Sequence, residues 1–136
     1  MVGLVIVCHG NMGSELIAVA EMIVGKLEGV EAVSIGHTGD VDGYREDVGA
    51  AIGRVGGAGG VLVLTDMFGG TPSNLSLAFL DENKVEVVTG VNLPMIIKYA
   101  NHRKDKDIRE LAALVQEGGV KSIIVASEML HQKARK

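Results

Sequence analysis

The stretch VLVLTDMFGGTP, residues 61–72, decides the architecture. Its first half, Val61 to Thr65, is short, continuous and apolar, the pattern of a strand covered on both faces, and this places it in the middle of a sheet. The Gly56–Gly60 turn precedes it. Its second half changes at once to an acid, two glycines and Pro72, a residue suited to a first helical turn because its missing N–H is not needed there. A helix continuing over Ser73 to Leu80 follows.

Outward from this unit the same alternation repeats. Val2 to Cys8 (VGLVIVC) reads as a buried strand. Ser14 can cap a helix through about Lys26, with Leu16, Ile17, Ala20, Ile23, Val24 and Leu27 at helical spacing on its covered face. Val30 to Ile35 is a second strand, followed by an amphipathic helix from about Tyr44 to Val55 that Gly49 and Gly53 weaken. Val85 to Thr89 is a fourth strand. Asn92 and Pro94 then supply a cap and a first-turn proline for a helix to about Ala100. Asp107 to Gln116 forms a further helix stopped by Gly118-Gly119. The β-branched run Val120 to Ala126 (VKSIIVA) is a last strand, expected at a sheet edge or against another subunit. Strands alternating with helices imply βαβ units around a parallel sheet.

Length and composition bound the rest. A chain of 136 residues, 47% hydrophobic and 22% charged, supports one core, taken as a single domain over 1–126 with a tail over 127–136. Residues 1–100 hold 5 basic against 12 acidic side chains, whereas 101–136 hold 8 against 5, for a net charge of −4. An acidic body with only 3% aromatics lacks both the phosphate-neutralising patch and the stacking platform of nucleic-acid binders. The basic end, from His131 to Lys136, is too short to change this. Val2 to Cys8 falls well short of the ~18 residues of a membrane-spanning helix, and no basic stretch precedes it as in a signal peptide. With one cysteine there is no internal disulfide, and a reducing cytoplasm is the default setting.

In open parallel sheets ligands bind beyond the carboxyl ends of the strands, near the point where strand order reverses. Three such loops are polar and glycine-rich: residues 8–14 (CHGNMGS), 65–72 (TDMFGGTP) and 89–94 (TGVNLP). His9 stands where a strand ends and a helix starts, a place that favours an anion. Asp66 stands at the equivalent point after the central strand, and right-handed crossovers can bring the two together. A carboxylate that binds one ring nitrogen fixes the tautomer and leaves the other as a nucleophile able to attack phosphorus. Gly69, Gly70 and Thr71 offer backbone donors and a hydroxyl for phosphoryl oxygens. The scheme requires neither metal nor cofactor.

Each residue also has a plainer reading. His9 alone can be a polar turn residue, Asp66 a cap, and the glycines turn positions. Together at three strand ends these separate readings become strained. Cys8 reads as a small buried side chain, His37, His102 and His131 as surface residues, and Asp40, Asp42, Glu46 and Asp47 as a solvated face.

Val5-Ile-Val-Cys-His9-Gly10, then Asp66-Met-Phe-Gly69-Gly70-Thr71-Pro72-Ser-Asn74, then Gly90-Val-Asn92-Leu-Pro94-Met95 together resemble the EIIA proteins of the mannose family of the bacterial sugar phosphotransferase system. The resemblance covers about Met1 to Val120. It implies a three-layer α/β sandwich with a mainly parallel sheet, and a homodimer that exchanges a terminal strand, for which Val120 to Ala126 is the candidate. It further implies that His9 is phosphorylated by the carrier HPr and passes phosphate to an EIIB component, with membrane EIIC and EIID involved only indirectly. Asp66 matches the orienting carboxylate, and Gly10, Gly69, Gly70 and Thr71 the phosphate cradle. Phe68, Asn92 and Pro94 fall to partner docking. Residues 11 to 13 depart from the small and apolar residues associated with the loop after the histidine. Competing readings are the phosphocarrier domain of the dihydroxyacetone kinase system, which shares a fold and a histidine, and a regulatory module whose docking depends on phosphorylation. A small metal chelatase would need further His or Glu ligands on the rim, and a Ser-His-Asp hydrolase would need a Gly-x-Ser-x-Gly elbow.

Overall fold

A computed structural model describes residues 1–36 and 39–134. Four strands, β1 (Gly3–His9), β2 (Val30–Ile35), β3 (Val61–Thr65) and β4 (Val85–Thr89), form one parallel sheet in the order β2-β1-β3-β4. The helices are α1 (Met12–Val24), α2 (Val41–Val55), α3 (Thr71–Leu77), α4 (Leu93–His102), α5 (Ile108–Lys121) and α6 (Ala126–Ala134).

The alternation of side chains along β1 and β3 divides the core into two layers. Leu4, Ile6, Cys8, Leu62 and Leu64 pack with Ala20 of α1, Ile96 and Tyr99 of α4 and Leu111 and Val115 of α5. Val5, Val7, Val61 and Val63 face the other way, onto Val48 and Ala51 of α2 and Leu75 of α3. Both central strands are buried through their apolar lengths, which is why they read as unbroken hydrophobic runs. The expected sandwich of a parallel sheet between helical layers is what the chain forms.

Helix starts differ in detail from the sequence reading. Ser14 is not a cap: α1 begins at Met12, and the Ser14 hydroxyl donates back to the carbonyl of Asn11 at 3.0 Å. Asp40 caps α2 through the N–H of Asp42, so that helix starts at Val41 rather than Tyr44. Asn92 caps α4 as expected, and Asp107 caps α5 through the N–H of Glu110.

Two expectations near the C-terminus are overturned. Gly118-Gly119 does not stop α5, which runs on to Lys121. A β-carbon on Gly119 would lie 2.6 Å from Met95 Cγ, so this glycine permits the close approach of α5 to α4. Val120 to Ala126 is not a strand in this chain. Its first residues finish α5, and 123–125 is a connector that forms no ladder with any strand among the described residues. Residues 120–132 are exposed throughout, among them Val120, Ile123, Ile124, Val125 and Leu130. The segment beyond 126, read as a tail, continues as α6. His37 lies outside the described residues.

Candidate functional site

The strand order puts the reversal point between β1 and β3, because the chain leaves β1 toward β2 on one side and returns to β3 on the other. His9 ends β1 and Asp66 follows the last residue of β3, so the two fall side by side on one rim. His9 Nδ1 lies 2.7 Å from Asp66 Oδ2, and the same oxygen accepts the backbone N–H of His9 at 2.9 Å. The other carboxylate oxygen accepts the N–H of Met67 at 3.0 Å.

Burial opposes ionisation of Asp66, but the bonds from the His9 backbone and ring and from Met67 outweigh it and hold its carboxyl below the ordinary value. An ionised carboxylate offers only lone pairs. In the neutral imidazole the proton therefore sits on Nδ1, and Nε2 keeps its lone pair. The His9 side chain is 49% exposed against 11% for Asp66, so a sheltered carboxylate supports a ring that an outside group can reach.

The loops around the ring are built to approach it closely. A β-carbon on Gly70 would stand 3.3 Å from His9 Cε1. Gly10 and Gly69 hold positive φ values of +58° and +86°, a region that side-chain-bearing residues seldom occupy. Gly70 precedes α3, its carbonyl accepts the N–H of Asn74 at 2.9 Å, and the exposed Thr71 opens the helix. The third loop is tied in through the carbonyl of Thr65, which accepts the N–H groups of Gly90 and Val91, each at 2.9 Å.

The residues assigned to docking separate. Phe68 is 75% exposed and shares the wall of a cavity of about 570 Å³ with Gly90, Asn92 and Ile123. The Asn92 side chain is committed to the chain itself, accepting from Met95 N–H and donating to the Gly119 carbonyl, both at 3.2 Å. Its placement sets the start of α4. Pro94 is half-buried in the first turn of that helix.

One contributor escaped the sequence reading. Ser34 in β2 donates its hydroxyl to the carbonyl of Gly10 at 2.5 Å, bracing the loop after His9. Its only signal was a hydroxyl next to the last residue of a predicted strand. Cys8, one residue from the site, is fully buried, and burial with the nearby Asp66 charge pushes its thiol up to about 12. His102 and His131 lie away from this rim, in the last turn of α4 and in α6. Among the described residues no group of three or more His, Cys, Asp or Glu side chains could hold a metal ion, and no helix is long and apolar enough to cross a membrane.

The fold is a parallel α/β sandwich that carries an imidazole–carboxylate pair at its reversal point. The sequence pattern of the EIIA-man family, described as the PTS system fructose IIA component, matches residues 3–116. The mannose-specific EIIAB component of the phosphotransferase system of Escherichia coli (strain K12) is 32% identical over 120 residues, which cover 87% of this chain and 37% of that protein. This chain thus spans well under half the length of that relative. Among solved structures, the phosphotransferase system component EIIA from Streptococcus agalactiae superposes with a TM-score of 0.84 at 26% identity, covering 94% of this chain and 99% of that one. The mannose/sorbose-specific IIA subunit from Enterococcus faecalis gives 0.81 at 30% identity, covering 91% and 93%. The chain belongs to the EIIA-man family of the sugar phosphotransferase system.

Proposed function

We propose that the protein is a cytoplasmic phosphohistidine carrier, accepting a phosphoryl group on His9 from phosphorylated HPr and passing it to an EIIB component for sugar uptake. The observation that carries this reading is the 2.7 Å contact between His9 Nδ1 and Asp66 Oδ2. Nε2 attacks the phosphorus of the donor's phosphohistidine. The new N–P bond forms as the donor's N–P bond breaks, and the donor ring leaves with that electron pair. Positive charge developing on the His9 ring is balanced by Asp66, which keeps Nδ1–H in place throughout. The return half is the same displacement, with a histidine or cysteine of EIIB as nucleophile.

The loose transition state of phosphoryl transfer asks for positioning and charge stabilisation. Backbone N–H groups around Gly10, Gly69 and Gly70 and the hydroxyl of Thr71 are the donors proposed for the phosphoryl oxygens. The exposed Met67 and Phe68 beside them are the apolar part of the surface offered to HPr and EIIB.

The partner assembly follows the same reading. β4 is a sheet edge, and residues 123–125 pair with no strand among the described residues. In the proposed homodimer this segment of each subunit pairs with β4 of the other, covering Ile123, Ile124 and Val125.

The test is incubation with phosphorylated HPr. One acid-labile, base-stable phosphate per chain is expected, absent from His9→Ala, and it should discharge onto EIIB. Labelling that persists in His9→Ala moves the site elsewhere, and a label that no EIIB accepts favours a regulatory module over a carrier.

A further inference from the structure

Arg103, at the end of α4, is the one charged residue among the described residues whose side chain is buried, at 6% exposure. Its guanidinium lies 4.9 Å from the centre of the Tyr99 ring, which covers one side. On another side a terminal nitrogen stands 3.1 Å from the place a β-carbon of Gly29 would occupy. Nε has no hydrogen-bond partner, and none of the ion pairs among the described residues involves Arg103. A buried guanidinium without an anion is costly, and the fork of an arginine matches an oxyanion with two parallel bonds.

Arg103 opens into a cavity of about 390 Å³ that Lys26, Lys104 and Glu28 also line. It sits at the end of the sheet opposite His9, where Val2 N–H bonds the Arg103 carbonyl and Leu4 N–H bonds the Gly29 carbonyl. Three cationic side chains face one carboxylate there, on a chain whose overall charge is −4. The volume falls within the range of small-molecule sites.

We propose that this cavity binds a small dianionic oxyanion, a phosphate monoester or a dicarboxylate of metabolite size. The guanidinium of Arg103, flanked by Tyr99 and Gly29, supplies the fork. Lys26 and Lys104 supply charge from the exposed rim. The site is independent of the phosphocarrier reading, since it shares no residue with the rim around His9.

Titration of the ¹⁵N-labelled full chain with inorganic phosphate, and separately with succinate, tests this at 150 mM potassium chloride. Saturable shifts at the amides of Gly29 and Lys104 and at the Arg103 side chain are expected with at least one probe. Saturation by phosphate alone assigns the phosphate-ester class, and saturation by succinate alone the dicarboxylate class. Arg103→Lys, which keeps the charge without the fork, should weaken binding about tenfold. Lys26→Gln with Lys104→Gln changes only exposed side chains, so the fold is kept, and affinity should fall at least about threefold by loss of rim charge. Shifts confined to the loops around His9, no saturation by either probe, or unchanged affinity in the double variant would each overturn the proposal.

Discussion

One oxygen of Asp66 holds His9 twice: Oδ2 accepts the backbone N–H at 2.9 Å and the ring Nδ1 at 2.7 Å. The position of the ring is thereby slaved to the end of β1, and that strand is fixed by ladders to β2 and β3. In the proposed carrier role, a ring held in this way would meet its phosphoryl donor without a further ordering step.

Asp66→Asn should leave the sheet intact but slow phosphoryl transfer by on the order of 10³ to 10⁴, because an amide can present its NH₂ to Nδ1 and favour the wrong tautomer. Stopped-flow or quench kinetics with phosphorylated HPr, together with circular dichroism of the variant, check this. A rate within a few-fold of the parent removes the orienting role.

Acid stability should report the same carboxylate. The folded state holds Asp66 below its ordinary value of 3.8, so its contribution is complete above that pH and disappears as pH falls through the folded value. Urea midpoints measured downward from about pH 5 should decline more steeply for the parent than for Asp66→Asn. Parallel curves would mean that this group is not linked to folding.

Gly69 and Gly70 should respond differently to alanine. Gly70 has ordinary negative φ, so Gly70→Ala should fold normally yet crowd His9 Cε1 and lower the transfer rate about tenfold or more. At Gly69 no atom lies within 4 Å of the added carbon, but φ is +86°, so Gly69→Ala should cost about 1–2 kcal/mol of stability through the backbone. Thermal melts and transfer kinetics on the two variants separate strain from collision.

Ile123→Asp addresses the assembly. The side chain is 78% exposed in the single chain, so monomer stability should barely change, whereas a charge set in the dimer contact should shift sedimentation toward the monomer. A parent protein that sediments as a monomer at micromolar concentration removes the exchanged strand.

Cys8 offers a probe of folding. Its buried thiol, pushed up to about 12, should be inert to a thiol reagent at pH 8 in the native state and react within seconds once the chain is unfolded. Rapid native labelling would show that β1 opens locally.

Much of the architecture was legible because burial on both faces leaves an unmistakable trace: Val61 to Thr65 and the strand ending at Cys8-His9 are apolar runs closed by glycine-rich turns. Rim residues were legible for a related reason, since the ends of parallel strands are where polar loops must collect. Elements whose state depends on a neighbour were not. Val120 to Ala126 carries strand-forming side chains, but a strand exists only where another offers hydrogen bonds, and among the described residues none pairs with 123–125. Gly119 has the composition of a helix end, yet it sits inside α5 because Met95 comes so near.

Local periodicity and turn residues, which act over a few positions, were enough to mark the four parallel strands, most of the helices and the three polar loops at the strand ends. The assembled fold alone brings one oxygen of Asp66 to both the backbone and the ring of His9, and encloses Arg103 with no ion-pair partner among the described residues. Those are distances between residues far apart in the chain. They depend on strand order and on how α4 seats against the sheet, which local patterns do not encode.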